Sequence, residues 1–221
     1  MIQFFKNYYN NKRLLHSERK KLNQSGTLIN AFNIDKSIFV HIPKTAGISL
    51  ISSIYGNVNY GGHRSIQFYK QVFICDDNFF TFSFVRNPWD RLYSAYMFLK
   101  QGGMNIHDQR AYKEFLSGYK DFEDFVMNGL SQDMIMNIPH FIPQHKFICN
   151  NNNVILVDFL GRYETLVNSV VELEKLMNRK IVLTHYNKTV KEKYNVVYTE
   201  DMISKVHEIY ITDINLFGYS F

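Results

Sequence analysis

Lys44, Thr45 and Ser49 place an ammonium and two hydroxyls in one short run, Pro43-Lys44-Thr45-Ala46-Gly47-Ile48-Ser49. Those groups suit an anion with several oxygens to satisfy. Further on, Arg86 and Ser94 stand eight residues apart in Arg86-Asn87-Pro88-Trp89-Asp90-Arg91-Leu92-Tyr93-Ser94. An arginine offers a planar fork of N–H donors that fits a phosphate. Between the two sets lies Gly61-Gly62-His63, a flexible bend before an imidazole. Imidazole titrates near neutral pH, so His63 is a candidate general base. A lone histidine in a surface loop is the plain alternative.

Each set needs an element to position it. Ser37 to Ile42 is apolar and β-branched enough for a short buried strand. Pro43 and Gly47 bracket a tight loop, and Leu50, Ile51 and Ile54 begin a helical pattern. Strand, small-residue loop and helix aim backbone N–H groups at an anion. The aromatic run from Phe79 to Val85 reads as a second strand ending at Arg86. Asn87 then suits an N-cap, Pro88 the first helical position and Asp90 the first turn. A capped helix with an N-terminal salt bridge would account for Arg86 without any ligand.

The loop is not a Walker A motif, because Lys44 precedes Gly47 and no Gly-Lys-[Ser/Thr] occurs elsewhere. It resembles the 5′-phosphosulfate loop of sulfotransferases that use 3′-phosphoadenosine 5′-phosphosulfate (PAPS). In their carbohydrate-acting branch that loop reads close to Ile-Pro-Lys-Thr-Ala-Gly-Thr-Ser. Here Ile48 replaces the usual threonine, which removes one hydroxyl and keeps the backbone N–H. The Arg86 to Ser94 segment resembles the 3′-phosphate motif of the same family, in the same order along the chain. The resemblance implies that Lys44, Thr45, Ala46, Gly47, Ile48 and Ser49 cradle the 5′ end of PAPS. It implies that Arg86 and Ser94 hold the 3′-phosphate, and that the histidine of the Gly-His pair, His63, is the base.

Later segments resemble the family too. His140-Phe141-Ile142-Pro143-Gln144-His145 is similar to a segment near the active site, although a structural loop is as good a reading of His140 and His145. Gly161-Arg162-Tyr163-Glu164 follows a run, Val154 to Val157, that reads as a buried parallel strand leading into a helix. Arg162 and Glu164 either order the cofactor pocket or, the preferred reading, pair as a helix-start salt bridge. Lys180 to Thr184 reads as a weak edge strand. His185-Tyr186-Asn187-Lys188-Thr189 is similar to the family's loop near the cofactor, so Lys188 is a further phosphate candidate or simply a solvated lysine. Asp213 to Tyr219 looks like the family's terminal Asp-x-x-x-Phe-Gly-Tyr.

The expected fold is α/β, a P-loop-like parallel sheet flanked by helices, with ligand at the C-terminal strand ends. Residues 37–221 form the expected sulfotransferase domain. Residues 1–36 form a basic extension, whose first part, through residue 24, could touch a membrane surface or pack its aromatics on the domain. The chain has 221 residues, 46% of them hydrophobic, and a net charge of +5, which fits an anionic ligand without demanding one. Its two cysteines, Cys75 and Cys149, have no metal-ligand spacing, so no metal and a reducing compartment are expected. No apolar run reaches the ~18–20 residues of a membrane span. The N-terminal apolar run is too short for a signal peptide, which sets the expectation of a bacterial-type cytoplasmic enzyme. No basic stripe interleaved with aromatics points to nucleic acid.

The expected reaction is therefore sulfuryl transfer from PAPS to a saccharide hydroxyl. One rival is a nucleotide-dependent kinase, which needs Mg²⁺ and an aspartate partner such as Asp158. The other is a PAPS- or nucleotide-binding module without turnover, hinted at by Ile48.

Overall fold

The protein is described by a computed structural model over residues 12–74, 78–183 and 194–221. Lys188, Cys75 and the aromatic start of the basic extension lie outside the described residues.

Three strands build one parallel sheet in the order β1 (Ser37–Val40), β2 (Phe80–Val85), β3 (Phe159–Arg162). Phe39 lies opposite Phe82, and Phe82 opposite Phe159, so aromatic rings run across the sheet. All of β1 is buried, as an apolar run covered on both faces should be. Ser83 of β2 is a fully buried polar group in the sheet, and its hydroxyl donates to the Val40 carbonyl at 2.7 Å. Burial of each large apolar side chain contributes about 1.5–3 kcal/mol.

Helix α1 (Leu28–Asp35) precedes the sheet and is capped by Thr27, whose hydroxyl accepts from the Asn30 N–H. Its Leu28, Ile29 and Phe32 are buried in the same core as the sheet. Helices α2 (Gly47–Tyr55) and α3 (Ile66–Val72) link β1 to β2, and α4 (Pro88–Lys100) leaves β2 directly. The expected cap of α4 forms: Asn87 Oδ1 accepts from the Trp89 N–H and Pro88 opens the helix. After α5 (Ile106–Phe115) comes a helix starting at Phe122 and capped by Asp121. Its regular part is short and passes into a π-turn over Phe125–Gly129. A second core gathers Trp89, Leu92 and Leu99 of α4 with Phe125, Phe141 and the apolar side of α7 (Glu200–Ile209), following α6 (Leu166–Met177). Helix α8 (Ile211–Phe217) ends the fold.

The third strand is not where its apolarity suggests. Val154 is 54% exposed, and Ile155 makes only an isolated antiparallel bridge to Cys149. The cause is the asparagine turn: Asn150 Oδ1 accepts from the N–H groups of Asn152 and Val154, turning the chain before it can join the sheet. The sheet takes Phe159–Arg162 instead. Glycine is required there, since a Cβ on Gly161 would sit 2.5 Å from the Phe84 ring. Residues 180–183 form no strand, contrary to the edge strand expected there. Among the described residues no helix is long and apolar enough to cross a membrane.

Candidate active site

The site lies at the C-terminal ends of the strands, beyond Val40 and Val85. The loop after β1 carries two left-handed residues that are not glycine, Lys44 at φ 71° and Ala46 at φ 66°. Such residues cost on the order of 1–2 kcal/mol each and cluster at functional sites. Left-handed residues alternating along a loop turn successive N–H groups to one side, the nest that binds anions. Thr45 is fully buried and its hydroxyl donates to the Ile42 carbonyl at 2.9 Å. That hydroxyl shapes the loop, so a ligand there meets Thr45 through its backbone. Ser49 differs: its Oγ is buried and has no hydrogen-bond partner. Ile48 is 51% exposed beside them. Gly47 is needed because the His41 ring lies against it; a Cβ would meet that ring at 1.9 Å.

Arg86 holds the two halves of the site together. It is 4% exposed and stacks 4.0 Å from the centre of the Tyr163 ring. Its Nη1 donates to the Lys44 carbonyl at 2.8 Å and to Ser94 Oγ at 3.2 Å. Nε and Nη2 both reach Asp90 Oδ2 at 2.7 Å. These contacts leave one Nη2 hydrogen of the five on the guanidinium. Arg86 and Ser94 are thus adjacent, as their spacing predicts, and the salt bridge expected at the start of α4 is also present.

Gln144 fixes the backbone of Arg86. It is fully buried, donates to the Arg86 carbonyl at 2.8 Å and accepts from the Arg86 N–H at 2.9 Å. Asp213 of α8 in turn accepts from the N–H groups of Gln144 and His145, and its Oδ1 lies 2.6 Å from His145 Nδ1. His145 is therefore a buried structural group. Arg162 and Glu164 reach different partners rather than forming the expected pair. Arg162 donates to the Phe217 carbonyl, while Glu164 accepts from the Asn87 N–H and the Tyr219 hydroxyl.

His63 faces back toward the loop. Its Nδ1 is 2.8 Å from Tyr60 Oη and 3.0 Å from the His41 carbonyl. A hydrogen on Nδ1 satisfies the His41 carbonyl, and that tautomer leaves the lone pair on Nε2. The His63 ring lies 4.5 Å from that of His41 and 5.8 Å from that of His140. His140 packs on Phe98 at 5.1 Å, and Lys44 Nζ sits 3.9 Å above the same Phe98 ring. Burial pushes the His63 pKa down to about 4 and that of His140 to about 3, and holds His41 well below the usual range. All three rings are neutral at pH 7, so each has a bare nitrogen.

His41 and Phe98 reach the site without any signal in their spacing that singles them out, whereas Asp90 and Tyr163 lie in the runs around Arg86 and Arg162 that the sequence marks. His140 is signalled by the polar-aromatic run around it. Asp158 is remote: its Oδ2 accepts from the N–H and hydroxyl of Thr81, both at 2.7 Å, at the opposite, N-terminal end of the strands. Among the described residues no group of three or more His, Cys, Asp and Glu could hold a metal.

An uncharacterized protein of Archaeoglobus fulgidus is 26% identical to the chain over 99 residues, covering 45% of this chain and 68% of that protein. No solved structure matches. A family model described as the sulfotransferase family matches residues 33–220, from α1 to the end of the fold and through both phosphate-type loops. The chain belongs to the sulfotransferase family.

Proposed function

We propose that this sulfotransferase moves a sulfuryl group from PAPS to a hydroxyl of a saccharide, with His63 as base. The observation that carries the reading is the bond pair from Arg86 to the Lys44 carbonyl and to Ser94. It links a left-handed anion loop to an arginine-serine pair, the two phosphate sites that a 3′,5′-bisphosphate needs. The residues fit such a donor. Ser49 Oγ is a buried hydroxyl without a partner, next to the N–H groups of the loop. The remaining Arg86 hydrogen and the Ser94 hydroxyl suit the 3′-phosphate.

His63 Nε2 takes the proton of the acceptor hydroxyl as its oxygen attacks sulfur. The new bond is acceptor oxygen to sulfur, and the bond broken joins sulfur to the 5′-phosphate oxygen. Lys44 places its ammonium where negative charge builds on that leaving oxygen, so its effect is greatest in the transition state. The loop N–H groups and Ser49 hold the 5′ end, while Arg86 and Ser94 distinguish the donor from nucleotides lacking a 3′-phosphate. Orientation of both substrates supplies much of the remaining acceleration. The remote position of Asp158, bonded to Thr81 at the other end of the strands, weighs against the kinase reading. A neutral His63 with a bare Nε2 weighs against a module without turnover.

The test is incubation with ³⁵S-labelled PAPS and mixed polysaccharides. Label that becomes polysaccharide-bound, and that is lost in both Lys44→Ala and His63→Ala, supports the reading. Label transfer that survives His63→Ala removes His63 as the base.

A further inference from the structure

A buried carboxylate without a cation stands one ring away from the proposed base. Asp108, in the first turn of α5, is 8% exposed. Its Oδ2 accepts from the Met104 N–H at 2.9 Å and from Asn105 Nδ2 at 3.0 Å. Its Oδ1 lies 3.9 Å from His140 Nε2. Among the described residues no lysine or arginine pairs with it. Capping of α5 does not account for it, because Asn105 is the cap: Asn105 Oδ1 accepts from the N–H groups of His107 and Asp108. A carboxylate buried without a cation is unfavourable, and groups held at such a cost cluster at functional sites.

Both sides of the contact are fixed. Gly103 packs so closely on Asp108 that a Cβ there would lie 2.1 Å from the Asp108 Cβ. The buried Arg91 holds the other side, donating from Nη1 to the His140 carbonyl at 3.0 Å and from Nη2 to the Ile142 carbonyl at 2.8 Å. The His140 ring meets that of His63 edge to face, at 72°. Around His63 stand the rings of His41, Tyr60 and His140, and the charges that act on it are those of Asp108, Arg91 and Arg64. The two arginines, like burial, oppose a positive charge on His63, and of the three charges Asp108 favours one. Lys44 and Arg91 likewise oppose a charge on His140.

We propose that Asp108 is a positioning residue for the transfer step: its carboxylate holds the His140 ring against His63 and offsets the positive charge that His63 gains with the acceptor proton. The inference rests on the reading of His63 as the base. No proton passes to His140 or Asp108; it stays on His63 Nε2 until the sulfated product leaves. A fixed carboxylate acts most strongly once that charge has begun to form, so it lowers the barrier more than it tightens substrate binding. The hydrogen of the neutral His140 ring then belongs on Nε2, toward Asp108, and Nδ1 is bare.

The experiment follows the histidine rings of the full chain by two-bond ¹H–¹⁵N NMR at pH 7, with His140→Gln and His63→Ala as assignments. The expected result is a hydrogen on His140 Nε2 in the wild type. In Asp108→Asn, which keeps an oxygen for the Met104 N–H, the His140 and His63 signals should move while those of His145, locked to Asp213, stay. In label transfer from PAPS to mixed polysaccharides Asp108→Asn should lower kcat about tenfold, one pKa unit of base strength, with KM for PAPS unchanged and Asp108→Glu recovering part of the loss. A hydrogen on His140 Nδ1 in the wild type overturns the proposal without any variant. Unmoved His63 signals in Asp108→Asn, or a loss that falls on KM alone, overturn it too. Absence of label transfer in the wild type counts against the sulfuryl-transfer reading instead, and the ring signals still decide the role of Asp108.

Discussion

Acidification should unfold this protein through its buried histidines. His63 and His140 have pKa values pushed to about 4 and about 3 by burial, against about 6.5 in an unfolded chain. Between the folded and unfolded values the unfolded chain binds more protons, so stability rises with pH and is lost as pH falls. Each group removes up to about 1.4 kcal/mol per pH unit below 6.5. At pH 4.5 the two together cost about 5 kcal/mol, a large part of the 5–15 kcal/mol of a typical domain. The loss from His63 levels off near pH 4, whereas that from His140 continues toward 3. His41, also held neutral by burial, acts in the same direction. Urea unfolding at a series of pH values from 7 to 4.5 measures the slope. Replacing His140 by Gln should lower the slope by about 1.4 kcal/mol per pH unit between 6 and 4.5. The carboxylates of Asp124 and Glu174, held low by hydrogen bonds to the Lys120 and Ile181 N–H groups, lose stabilisation in more acidic solution and cancel in the difference. Equal slopes for wild type and His140→Gln would refute the burial of a neutral His140.

Other substitutions probe the frame of the site. Gly47→Ala forces a Cβ into the His41 ring and should cost about 1–3 kcal/mol by overpacking, seen as a lower Tm together with weaker bisphosphate binding. Gln144→Ala leaves the buried N–H and carbonyl of Arg86 unpaired and should cost about 2–4 kcal/mol in urea unfolding. Lys44→Ala should mainly lower kcat for label transfer, and Arg86→Ala should mainly weaken donor affinity; equal, small effects from both would contradict their separate roles.

The parts of the fold written in short-range chemistry were legible in the sequence. The run Ser37 to Ile42, the Asn87-Pro88 cap and the placement of Arg86 near Ser94 each follow from local pattern, and the structure forms them. The third strand was not legible. Val154 to Val157 is as apolar as a strand should be, but the asparagine turn before it is satisfied internally and the sheet extends only from Phe159. That choice depends on Gly161 giving room to Phe84, a contact between strands far apart in sequence. The same limit applies within the site. Thr45 looked like a ligand hydroxyl, yet its partner is the Ile42 carbonyl three residues back. Gln144 and Asp213 matter because helix α8 returns beneath Arg86, and no spacing rule reports that. His140 and His145 belong to one motif, and only tertiary contacts separate the one beside His63 from the one locked to Asp213.

Calorimetric titration with 3′-phosphoadenosine 5′-phosphate, AMP and ATP, without added metal, tests the central claim most directly. A joined Arg86–Ser94 and Lys44-loop site predicts micromolar binding of the bisphosphate, with AMP at least about tenfold weaker for want of charge-assisted bonds to its 3′ end. Equal affinity for AMP, or preference for ATP, would contradict a donor site that reads the 3′-phosphate.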